Sequence, residues 1–132
     1  MAGIKIVKQN KDFRRTYARG ASAADRSLIL YVYSKQDQEK RFGFSVSKKV
    51  GKAVVRNRVK RLLKEACRLN SGVFPDGKDY IIIAKKEVVG EDLQTISTRI
   101  LNLLQRLLKK TTAGAGEKFK LNHRGHREHK EY

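Results

Sequence analysis

RFGFSVSKKVGKAVVRNRVKRLLK, residues 41–64, is the stretch whose reading decides the fold. Its opening alternates: Phe42, Phe44 and Val46 interleave with Gly43, Ser45 and Ser47. That is the period of a half-buried strand, with apolar side chains toward a core and small ones on a face that a bulky ligand can approach. Between residues 51 and 53 the period changes. Val55, Val59, Leu62, Ala66 and Leu69 now recur at the three-and-four spacing of a helix that runs to about Asn70. Opposite them lie Asn57, Lys60, Arg61, Lys64 and Arg68, with Arg56 and Arg58 flanking the polar arc. No carboxylate occurs between Glu39 and Glu65, whereas a merely solvated helix face usually mixes signs. A strand, a glycine turn and a helix of one sign of charge therefore describe a folded surface for a polyanion.

The turn between them invites comparison with a nucleotide-hydrolysing phosphate loop. That motif requires glycine at 46 and a hydroxyl residue at 53, where this chain has Val46 and Ala53. What remains is the backbone N–H groups of a helix start beside Lys48, Lys49 and Lys52, a seat for phosphate.

The whole chain agrees with the central stretch. Its 132 residues suit one domain, here residues 1–110, followed by a basic tail at 111–132 expected to be disordered. Lys and Arg number 31 against 13 Asp and Glu, a net charge of +18 that a polyanionic partner would relieve. No apolar run reaches the ~18 residues that would span a bilayer, and the N-terminus lacks a signal peptide's apolar region, so a cytoplasmic protein is expected. The single cysteine, Cys67, reads as a small buried helix residue.

Outward from the centre, residues 11–19 form a short helix that Asn10 can cap and Gly20 can end in a left-handed conformation. Phe13 and Tyr17 share one face of it, and spacing alone makes them anchors to the core. Residues 21–24 read as a small-residue loop, residues 27–33 as a strand and residues 34–40 as a hairpin connection to the strand at 41–47. Residues 71–77 hold the only proline and read as a loop. DYIIIAK, residues 79–85, is a continuous apolar run that suits a strand covered on both faces. A last helix over about 91–110 carries Leu93, Ile96, Ile100, Leu103, Leu104 and Leu107 at helical spacing and should close the core.

Nothing in this pattern marks an active site. The folded part has no histidine, its acids are scattered, and no nucleophile is paired with a base. His123, His126 and His129 all sit in the tail without further ligands, so no metal site is assigned.

FGFSVSKKVGKAVVRNRVKRLLKEACR, residues 42–68, resembles the signature of the bacterial ribonuclease P protein subunit, including its Arg-Asn-Arg helix. The likeness extends to the Asp-Phe helix near the N-terminus and to residues 79–85, covering roughly 10–108. It implies an α+β sandwich, a mixed sheet of about four strands packed with three helices and an uncommon left-handed βαβ crossover. By resemblance the protein is a monomer, one copy per catalytic RNA, that helps the RNA remove 5′ leaders from precursor tRNA; no DNA or membrane is a partner. The RNA and the Mg²⁺ it binds would supply the chemistry. Lys48, Lys49, Lys52, Arg56, Asn57, Arg58, Lys60, Arg61, Lys64 and Arg68 would contact the catalytic RNA. Phe13, Tyr17 and Tyr31, with Ser45 and Ser47, would receive the single-stranded leader in an aromatic cleft. The other readings left by the residues are a ribosomal-type structural RNA binder and a protein-only nuclease.

Overall fold

The computed structural model describes residues 3–112; Thr111 and Thr112, expected to open the tail, end the last helix, and the rest of the expected tail with its three histidines lies outside the described residues. Along the chain run β1 (Lys5–Ile6), α1 (Asn10–Arg19), β2 (Ala21–Ala24), β3 (Leu28–Ser34), β4 (Arg41–Val46), α2 (Ala53–Leu69), β5 (Lys78–Ala84) and α3 (Leu93–Thr112). The strands form one mixed sheet in the order β1-β4-β5-β3-β2. This is the α+β class expected, with five strands where about four were foreseen.

The extra strands come from segments whose own composition argues weakly for strand. Residues 21–24, Ala-Ser-Ala-Ala, pair antiparallel with β3 from Ala21↔Val32 to Ala24↔Ile29. Their side chains are small enough for α3 to lie across them, and that cover, not β propensity, makes them a strand. β1 adds two residues in parallel with β4.

The expected hairpin between β3 and β4 does not form. β5 lies between them, antiparallel to β3 and parallel to β4, so that Ile81 faces Tyr31 on one side and Gly43 on the other. β5 carries the unbroken apolar run Tyr80–Ala84, and a place inside the sheet pairs both its edges and covers both its faces. Residues 35–40 therefore pass across the chain that enters β5: Lys35 N donates to Gly77 O (2.8 Å), and Lys40 Nζ to Ser71 O (2.7 Å) and Phe74 O (2.9 Å).

Two apolar layers sandwich the sheet. Below it Leu28, Leu30, Phe42, Tyr80 and Ile82 meet Val59, Leu63 and Ala66 of α2 and Ile96, Ile100 and Leu104 of α3. The rings of Phe42, Phe74 and Tyr80 pack there with centroids 4.9–5.4 Å apart. Above it Ile29, Tyr31 and Ile81 take Phe13 of α1.

Two helix details depart from expectation. Gly20 is extended (φ −81°, ψ 164°), not left-handed. Its lack of a side chain matters because a Cβ would stand 2.7 Å from both Thr16 O and Val32 O, where α1 turns onto β3. In α2 the buried residues are Val59, Leu63, Ala66 and Cys67, while Leu69 is 55% exposed. The buried arc is thus turned by roughly 60° from the predicted stripe at 100° per residue. Cys67 is buried as expected, and burial pushes its thiol pKa up.

Candidate nucleic-acid interface

The surface foreseen in the sequence begins where β4 ends. Ser47 caps a 3-10 turn at Lys48–Val50, its hydroxyl accepting from Lys49 N (3.3 Å). Gly51 follows at φ 156°, where a Cβ would press against Val55 at 3.0 Å, and α2 starts two residues later. Lys48, Lys52, Asn57, Arg58, Lys60, Arg61, Lys64 and Arg68 are all exposed along this turn and helix. Two of the predicted contacts are partly committed elsewhere. The rotation of α2 brings Arg56 to the edge of the buried arc, half-buried, with its Nε donating to Gly51 O (3.1 Å). Arg68 makes a two-bond pair with Glu65 (3.0 and 2.6 Å), so its charge is already partnered. On α2 itself, Arg58, Lys60, Arg61 and Lys64 are exposed with no carboxylate partner among the described residues.

A second concave surface lies across the sheet from α2. It is an open groove of about 1310 Å³. Tyr17, Ile29, Tyr31 and Ile83 supply an apolar wall; Arg26, Lys49, Lys85 and Lys86 supply cations; Ser45 and Ser47 line it as well. The even residues of β4 serve the α2 layer, so the odd ones face the α1 side, where small Ser45, with Ser47 just past the strand, lines the groove. Lys49, foreseen with the helix cations, stands in the groove wall.

The three aromatics expected in the cleft are brought together but do different jobs. Phe13 lies over Gly43, where a Cβ would come within 2.9 Å of the ring, and it packs on Ile81 as a half-buried anchor. Tyr31 is 7% exposed and meets Tyr17 edge-on with centroids 5.0 Å apart. Only Tyr17, 37% exposed, offers a broad ring surface to the groove. Burial raises the pKa of its hydroxyl, and a hydrogen bond with the Ser45 side chain partly opposes that rise.

α1 is held in this position by a buried charge cluster. Asp79, fully buried at the start of β5, accepts from Arg41 at 3.0 and 2.7 Å and lies 2.9 Å from Lys35 Nζ. Burial alone would raise its pKa, but the hydrogen bonds from Arg41 and Lys35 outweigh burial and lower it. Asp12 of α1 completes the cluster through Arg41 (3.4 Å) and Arg15 (3.3 Å), and Arg15 stacks over Tyr33. The opposite rim has its own clamp. Arg99 pairs with Glu91 (2.8 and 2.9 Å) and Asp25 (3.2 Å), and Ser27 Oγ donates to Glu91 (2.8 Å), fixing the turn that carries Arg26.

Arg26, Lys85 and Lys86 escaped the reading of the sequence. Lys85 and Lys86 follow a buried strand and Arg26 sits in a turn, so no periodicity marks them as one wall. A cationic pair at the end of a two-sided strand was the one available signal.

Residues 1–108 match the family model described as Ribonuclease P. The ribonuclease P protein component of Pelotomaculum thermopropionicum is 42% identical over 106 residues, covering 80% of this chain and 95% of its own. The chain belongs to the ribonuclease P protein family. A second family member, from Clostridium kluyveri, is 45% identical over 102 residues, 76% of this chain and 91% of its own. Among solved structures, the RNase P protein of Staphylococcus aureus superposes with a TM-score of 0.69 at 33% identity, covering 76% of this chain and 92% of that one. The RNase P protein of Thermotoga maritima does so at 0.70 and 31%, covering 77% and 96%.

For a ribonuclease P family protein the distribution of acids is informative. Asp12 and Asp79 are tied to Arg41, and Asp25 and Glu91 to Arg99. Among the described residues no group of three His, Cys, Asp or Glu side chains comes together to hold a metal ion. Nor, among them, is any helix long and apolar enough to cross a membrane.

Proposed function

We propose that this chain works as the protein component of ribonuclease P by holding two RNAs on opposite faces of one sheet. The exposed cations of α2 grip the folded catalytic RNA through its phosphates, an attraction that needs no base readout. The groove takes the single-stranded 5′ leader of precursor tRNA. Tyr17 supplies a ring on which any base can stack, and Lys49, Lys86 and Arg26, which line the same groove, serve the backbone. The observation that carries this reading is the groove itself: it is lined by Tyr17 and Tyr31 together with Arg26, Lys49, Lys85 and Lys86, against a single acid, Glu87, in a protein whose basic helix lies on the other side of the sheet.

In this reading the protein positions and the RNA cuts. No magnesium site is assigned to the protein, and in this reading Mg²⁺ is held by the catalytic RNA. One copy of the protein suffices for one RNA, because both surfaces lie on the same copy, and the complex works in the cytoplasm.

Reconstitution tests it. Purified chain, the host's candidate catalytic RNA and a precursor tRNA are combined at low Mg²⁺. Leader removal is expected only with protein and RNA together. Cleavage by protein freed of RNA, or leader removal indifferent to the protein, would overturn the reading.

A further inference from the structure

The solvent face of α1 carries charge that neither surface above uses. Lys8, just before the helix, and Lys11, Arg14 and Arg19 on it are exposed, and no carboxylate of the described residues pairs with them. The helix's one acid, Asp12, is buried and turned inward to Arg15 and Arg41. This arrangement runs against the helix's own preferences. Cations in the first turns oppose the macrodipole, and Lys11 and Arg14 are like charges at a spacing that brings them together. Nor is it the overall charge spread evenly, because α3 over 93–105 exposes neutral Gln94, Thr95, Thr98, Asn102 and Gln105, and its exposed cations, Arg106 and Lys109, come only toward its end. At 100° per residue Arg14 is the cation next to Tyr17 around the helix, and Lys11 lies beyond it. The row therefore starts at the aromatic edge of the groove.

We propose that Lys8, Lys11 and Arg14 form a phosphate-binding rail for single-stranded RNA that leaves the groove past Tyr17, extending the grip on long leaders. This rests on the groove being the leader site. It adds a prediction that the groove alone does not make: affinity keeps rising with leader length after the groove is full, through contacts that read phosphate and not base.

The test uses the full chain assembled with the host's catalytic RNA and precursor tRNAs whose leaders are lengthened one nucleotide at a time. Wild type should gain affinity with each added nucleotide until the rail is covered. The triple variant Lys8→Ala, Lys11→Ala, Arg14→Ala should stop gaining once the groove is filled. Its log–log salt slope on long leaders should fall by about 2, from ~0.7 per single-strand phosphate contact over three contacts. Lys8→Arg, Lys11→Arg, Arg14→Lys should restore the gain. Equal losses on short and long leaders, or a loss in binding the catalytic RNA without substrate, would overturn the proposal; the second result would assign α1 to the catalytic RNA. Tyr17→Ala separates the premise: if leader preference survives it at every length, the groove reading fails, while the triple variant's length dependence still judges the rail.

Discussion

The outer face of α2 and the groove above the sheet are both cationic, yet they are built by different means. α2 is one continuous element whose helical period alone separates the apolar arc from the cations. The groove draws Tyr17 from α1, Arg26 from the turn after β2, Lys49 from the turn before α2, and Lys85 and Lys86 from the end of β5. A surface made by one helix survives small shifts elsewhere in the molecule. A surface assembled from four places depends on the ion pairs that dock them.

The sharpest way to break this contrast is Arg41→Met. Removing the two-bond partner of fully buried Asp79 should cost roughly 3 kcal/mol of stability, the scale for breaking a buried ion pair, and should loosen α1 before α2. Urea denaturation gives the first quantity. Hydrogen exchange at α1 and α2 gives the second, and equal loosening of both helices would dissolve the distinction. The same pair sets an acid dependence. Because the folded state lowers the pKa of Asp79, its contribution is fully present above the ordinary carboxylate range and is lost as pH falls through the lowered value. Stability of the wild type should therefore drop toward low pH more steeply than that of Arg41→Met.

Tyr17→Ala should weaken preference for leader-bearing over mature tRNA by ~1–3 kcal/mol, the worth of one stacked base, with catalytic RNA affinity unchanged. Competition binding of the two tRNAs measures it. Arg61→Ala with Lys64→Ala should do the reverse. It should lower the salt slope for the catalytic RNA by ~1.8, at ~0.9 per duplex phosphate contact, and leave leader preference intact. If these two variants gave the same phenotype, two separate surfaces would not exist. The smallest effect belongs to Tyr17→Phe, which keeps the ring and removes only the hydroxyl bonded to Ser45; leader preference should shift by less than the ~1 kcal/mol of a typical hydrogen bond.

How much of this was legible depends on which residues carry the information. α2, α3 and the central strand β5 announce themselves because each has a strong period or a long apolar run within a dozen or so consecutive residues. The division of labour among Phe13, Tyr17 and Tyr31 does not. Phe13 becomes an anchor only because Gly43, thirty positions later, leaves a hollow beneath its ring. Arg56 looks like its neighbours Asn57 and Arg58 until the rotation of α2 turns it toward Gly51. β2 has no strand signal at all and owes its state to pairing with β3 beneath α3.

The amino-acid order by itself determined that residues 41–69 form a strand, a turn and a helix with one cationic face, because local periodicity and charge are properties of consecutive residues. Only the tertiary structure decided that β5 enters between β3 and β4, that Lys49 faces the groove and that Tyr17 alone of the aromatics presents a broad ring there. Those outcomes depend on which distant segments bury one another, and burial is a property of the packed chain.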